Sequence, residues 1–135
     1  MMAASSRPVP RSFLAFDFGT RRVGVATGNT VTDTASALRT LSIDGEARFD
    51  AIGALIAEWQ PDELVVGVPW HPDGAAHENT LRAQRFARQL QGRFRLPVHE
   101  VDERYSTVEA SSSGANDLDA ACAAIILEQY LRSLP

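Results

Sequence analysis

Three carboxylates in this sequence stand where an acid is either costly or useful. Asp17 interrupts the apolar run Phe13-Leu14-Ala15-Phe16-Asp17-Phe18. A carboxylate buried in such a run loses its water, so a metal ion, an arginine or a backbone donor has to compensate it. The simpler reading is an Asp that caps the tight turn at Gly19-Thr20. That turn lets a phosphate approach the backbone closely, and Thr20, Arg21 and Arg22 supply a hydroxyl and positive charge. Glu103 follows Val101-Asp102 at the end of a second apolar segment, with Arg104, Ser106 and Thr107 behind it; Asp102 is the reserve acid at this position. Ser106 with Glu109 fits a capping box, and the helix start it implies would offer free N–H groups to an anion. A charged turn followed by an ordinary cap explains the same residues. Asp119 opens an apolar helical run, where the helix dipole favours an acid whatever its job.

The three acids weigh more together than singly. A strand-centre Asp, an acid at another strand's end and an acid at a helix start can converge on the edge of a sheet where open α/β folds bind their ligands. Carboxylates meeting without a cation repel one another and raise at least one pKa. Magnesium or manganese, hard ions that prefer oxygen, resolve that conflict. Two such ions about 4 Å apart activate a water and stabilise the departing oxygen of a phosphodiester. Arg82, Arg85 and Arg88 share one side of a helix, with Arg93 and Arg95 after it; they read either as a solvated face or as a track for a phosphate backbone. His71, His77 and His99 show no metal-ligand spacing and read as surface or loop residues. Trp70 reads as a packed lip of the cleft.

The elements that must position these residues follow from periodicity. Residues 13–18 and 23–27 read as antiparallel strands joined by the 19–22 turn, with a weaker third strand near 37–41. Phe49, Ile52, Leu55, Ile56 and Trp59 have helical spacing, with Pro61 just beyond. Residues 64–68 form the short continuous apolar run of a strand covered on both faces. A helix over about 78–91 follows, with Ala83, Phe86, Ala87 and Leu90 inward, then a strand over 96–101 and a largely apolar helix over 119–134. Strands separated by helices imply parallel pairing and right-handed crossovers. The expectation is an α/β fold: a mixed five-stranded sheet with antiparallel first strands and helices on both faces.

Composition narrows the class. The chain has 135 residues and fits one domain, residues 12–135, behind a disordered tail over 1–11. No apolar run approaches the roughly 20 residues that cross a bilayer, and the start lacks the apolar core of a secretory signal. The single cysteine, Cys122, lies in an apolar helical run and is expected to be buried. One unpaired thiol fits a reducing compartment, hence the cytoplasm. The net charge of −4 argues against coating nucleic acid by bulk charge, and all 13 basic residues are arginine.

These residues resemble a known family. Phe16-Asp17-Phe18-Gly19-Thr20-Arg21-Arg22-Val23-Gly24-Val25-Ala26 is similar to the opening motif of the YqgF family. Val65-Val66-Gly67-Val68-Pro69 with Asp73-Gly74, Asp102 to Ala110, and Asp119 to Glu128 are similar to its second, third and fourth motifs. The family is described both as Holliday-junction resolvases and as nucleases that process the 5′ end of pre-16S rRNA. The resemblance spans about Phe13 to Leu131. It implies a ribonuclease H-like fold, with Asp17, Glu103 and Asp119 as the acidic site. It also implies a structured RNA, the 5′ end of the small-subunit rRNA precursor, as substrate. Four-way DNA junctions are the alternative, and their two symmetric cuts imply a two-fold dimer; monomer and homodimer both stay open. One departure stands out: between Ala110 and Asp119 the family carries a longer, basic loop. The shortened segment is the best support for a third reading, a catalytically silent binding module. An ATP-binding domain of the actin and hexokinase type shares the Asp-x-Gly-Thr turn, but needs two such domains.

Overall fold

Residues Phe13 to Phe16 are apolar and buried on both faces, which suits a strand in the middle of a sheet covered on both sides. The computed structural model describes residues 9–70, 73–102 and 118–134. Its elements run β1 (Ser12–Phe18), β2 (Val23–Asn29), β3 (Thr34–Leu41), α1 (Gly45–Trp59), β4 (Glu63–Val68), α2 (Glu78–Phe94), β5 (Val98–Asp102) and α3 (Leu118–Ser133). The five strands lie in the order β3-β2-β1-β4-β5. β1, β2 and β3 pair antiparallel, while β1–β4 and β4–β5 are parallel. This is the mixed sheet expected from the sequence. The weak third strand starts earlier than expected, at Thr34; only Leu41 in it is buried, as an edge strand allows.

Side-chain alternation splits β1 between two cores. Leu14 and Phe16 face α1 and α2, in a cluster with Ile52, Leu64, Val66, Phe86 and Leu90. Phe13 and Ala15 face the other way, onto Val65 and the α3 residues Ile126, Leu127 and Leu131. Helices therefore cover both faces. The α3 side has little side-chain bulk beneath it, because β2 presents Gly24, Ala26 and Gly28 opposite Asp17, Ala15 and Phe13. Cys122 is buried, as expected.

Several expectations need correction. Arg11 does not belong to a tail: its carbonyl accepts from the Thr30 N–H at 3.0 Å, and its guanidinium pairs with Glu63 at 2.8 Å. Trp59 is exposed at the end of α1, and the buried stripe is instead Arg48, Ile52 and Leu55. Arg93 does not join a basic track, because it pairs with Glu46 and lies over the Phe49 ring at 4.0 Å, tying α2 to α1. Two histidines have structural work. His77 caps α2, reciprocally with Thr80. His99 sits in β5, hydrogen-bonded to Glu63 and stacked on Tyr130 at 5.1 Å between centroids. His71 lies outside the described residues. Trp70 packs against the α1–α2 core.

Candidate active site

The chain leaves β1 through a turn only glycine can open: a Cβ on Gly19 would lie 2.5 Å from the Arg22 carbonyl oxygen. Just before it, half-buried Asp17 is paired with Gly24 of β2 on one side and Gly67 of β4 on the other. Neither neighbour has a side chain, so no side chain of β2 or β4 stands beside the carboxylate, and the space there is left to other elements. By alternation Asp17 is on the face that α3 covers.

The first turn of α3 comes down directly on Gly24. A Cβ there would lie 1.9 Å from the Asp119 carbonyl oxygen and 2.7 Å from the Ala120 nitrogen. Asp119 is thereby seated over the strand residue paired with Asp17. Its Oδ2 lies 3.1 Å from Arg22 Nε, in an ion pair whose arginine side chain is 64% exposed and whose acid is 26% exposed. Such a pair contributes at most about 1 kcal/mol, so Arg22 can exchange it for another anion. Gly19, Thr20, Arg21, Arg22, Ser42 and Asp119 line an open cleft of about 560 Å³.

On the opposite side of the same turn lies a second depression, of about 300 Å³, lined among others by Phe18, Thr20, Arg48, Arg82 and Arg85. Arg48 is only 5% exposed. Its Nε donates to the Ile43 carbonyl at 2.8 Å and its Nη2 to the Thr20 carbonyl at 3.1 Å. Burial lowers the Arg48 pKa, against an opposing pull from Asp44. Arg82 pairs with Glu78 one turn back, whereas Arg85 makes no ion pair among the described residues. Further along α2, Arg88 and Arg95 flank a third depression of about 430 Å³.

β5 runs beside β4 with Val101 opposite Gly67 and Asp102 opposite Val68. Val101 packs on the α3 side, which directs Asp102 to the other face, away from Asp17. The reserve acid is thus on the wrong side of the sheet. Glu103, Arg104, Ser106 and Thr107, with the Ser106–Glu109 cap and the shortened segment up to Asp117, lie outside the described residues. Among the described residues no three His, Cys, Asp or Glu side chains form a metal-binding group. Asp17 and Asp119 share one face of the sheet, and both offer oxygen, the donor that a hard divalent ion prefers. Two residues escaped the reading of the sequence. Gly24 carried a usable signal, a glycine inside an apolar strand, which marks close approach of another backbone. Arg48 carried a weaker one, standing one turn before Ile52 on the inner stripe.

Residues 11–133 match the family described as RuvX, Holliday junction resolvase. A relative from Polaromonas sp. strain JS666 is 65% identical over 125 residues, covering 93% of this chain and 91% of its own. One from Albidiferax ferrireducens is 64% identical over 124 residues, covering 92% and 80%. Both carry the name "Putative pre-16S rRNA nuclease". Among solved structures, Thermus thermophilus RuvC aligns with a TM-score of 0.52 at 12% identity, over 90% of this chain and 95% of that one. The same protein in complex with a Holliday junction substrate gives 0.55 at 13%, over 91% and 94%. Identity that low speaks to fold alone, and the shared fold is the ribonuclease H-like one.

Proposed function

Because this chain belongs to the RuvX family, also called YqgF, we propose that it is a divalent-metal-dependent nuclease that trims the 5′ end of the small-subunit rRNA precursor. The observation that carries the reading is the seating of the α3 start on Gly24, which puts Asp119 over the strand partner of Asp17. Both acids lie at the carboxyl ends of the central strands, where α/β sheets bind ligands. Asp17, Asp119 and Glu103 would hold one or two magnesium or manganese ions, a wholly oxygen donor set that suits them. When bound, such ions supply the activation of a water and the charge that the departing oxygen needs.

The chain's own residues do the rest. Thr20, Arg21 and Arg22 line the cleft and would grip the phosphate being cut, with Arg22 leaving Asp119 for the strand. Arg104, Ser106 and Thr107 would extend that grip beside Glu103. Arg82 and Arg85 would bind the phosphate backbone away from the cut. The RNA substrate follows the names of the relatives. The family's description favours a second reading, resolution of four-way DNA junctions, which needs two sites related by a two-fold axis.

The deciding assay incubates purified protein with 5′-extended precursor rRNA and with a four-way junction, in magnesium, manganese or EDTA, with Asp17→Asn as control. Cleavage of the RNA only with divalent metal, and only by the unaltered protein, is expected. Cutting of the junction instead selects the resolvase. Binding without cleavage under every condition would leave a silent nucleic-acid-binding module.

A further inference from the structure

The 300 Å³ depression between β1, α1 and α2 has no part in holding the acids, yet its lining is chemically specific. Phe18, Phe49 and Phe86 give it aromatic walls, Arg48 and Asp44 stand in it together, and exposed Arg82 and Arg85 border it. Arg48 spends Nε and Nη2 on two backbone carbonyls. Its Nη1 donates to no acceptor among the described residues, and because no fully buried side-chain nitrogen or oxygen there lacks a partner, it is reachable from the depression that Arg48 lines. A guanidinium keeps its charge at neutral pH, and a donor held in an apolar recess gains most from an acceptor brought by a ligand. The fitting ligand is flat and apolar on its faces, carries an acceptor next to a donor on one edge, and trails negative charge.

A nucleobase with its flanking phosphates meets each requirement. The geometry points to this depression as the seat of one unpaired base of the substrate strand, next to the phosphate being cut; this rests on the nuclease reading above. The base would enter among the phenylalanines, offer an acceptor to Arg48 Nη1 and a donor to Asp44, and leave the phosphate on its side away from the cut to Arg82 and Arg85. Guanine, with O6 beside N1–H and N2–H₂, supplies that edge most fully. Thr20 lines both this depression and the acidic cleft, so a strand seated in one reaches the other across a single turn. Arg48 holds the Thr20 carbonyl, which ties the base seat mechanically to the turn that follows Asp17.

The test measures binding of a labelled single-stranded oligoribonucleotide spanning the precursor's cut site to Asp17→Asn protein in magnesium, where the strand stays whole. A single abasic position is moved along the strand. One position near the cut should weaken binding about 5- to 100-fold, the range that loss of one base–aromatic contact gives. The same position should cost little in Gln89→Trp, whose indole fills the depression from α2, and in Phe49→Leu, which keeps bulk but loses the ring. Circular dichroism establishes that both variants fold. A uniform penalty along the strand, or a sensitive position unchanged in both variants, overturns the base seat while cleavage by the unaltered protein leaves the nuclease standing. A strand neither bound nor cut takes both down.

Discussion

Asp17 is flanked by two glycines across the sheet, Gly24 and Gly67, so no side chain of a neighbouring strand packs against its carboxylate. Replacing it with asparagine keeps the shape and removes the charge. Asp17→Asn should therefore abolish cleavage while keeping the thermal midpoint within about 4 °C of the parent, equivalent to about 1 kcal/mol for a domain of this size. Loss of the cooperative melting transition would instead make Asp17 a structural residue. At this scale the sequence was legible where a residue broke its local pattern. An acid in the middle of Phe-Leu-Ala-Phe-Asp-Phe is anomalous on its own, whereas Asp119 is an ordinary first-turn acid until the fold sets it above Gly24. Arg48 was missed because an arginine in a helix's first turn reads as solvated; only the tertiary structure shows its guanidinium buried against the Ile43 and Thr20 carbonyls.

Among the elements, α3 matters most, because its docking determines where Asp119 stands. It lies against the Gly24-Ala26-Gly28 stripe of β2, and a Cβ at position 28 would come 2.8 Å from Leu127 Cδ2. Backbone blocks both positions, the Thr34 carbonyl oxygen of β3 at 2.6 Å from position 28 and the Asp119 backbone at 1.9 Å from position 24, but only the second belongs to α3. Gly24→Ala should accordingly destabilise the protein by about 1–3 kcal/mol, as overpacking does, and lower cleavage further by moving Asp119. Urea unfolding and an assay at saturating metal measure the two effects; neither changing would mean that α3 starts elsewhere in solution. Element type and order were readable from periodicity, including the inward face of α2. What α3 packs against was not, since a strand glycine reports that something approaches without saying what. Spacing also misassigned Trp59, whose helical phase matches the core although α1 ends there and leaves the indole in water.

Across the whole molecule, the two ends of the sheet serve different purposes. The acids, the 19–22 turn and the α2 arginines gather toward the carboxyl ends of β1 and β4, which concentrates positive charge locally in a chain whose net charge is −4. At the amino ends, Glu63 takes hydrogen bonds from Arg11 and His99. Burial pushes the Glu63 pKa up, but those two hydrogen bonds and their charges outweigh it and hold it below the ordinary 4.5. A folded pKa below the unfolded one means stability that is fully present above pH 4.5 and is lost as pH falls through the folded value. Glu63→Gln should cost about 1–3 kcal/mol at neutral pH and flatten the acid limb of the melting-temperature profile; parallel profiles would show that the cluster contributes nothing. The chain's single cysteine turns the packing of α3 into something that can be timed. Cys122 is 2% exposed, early in the helix that carries Asp119. A thiol reagent reaches it only during moments when that helix lifts, so the labelling rate in native buffer counts those excursions. Slow labelling, accelerated in Gly24→Ala, is the expected outcome, and a thiol consumed within the mixing time would refute it. A colorimetric thiol titration can thus report how long an acid stays at its post, with no nucleic acid in the tube.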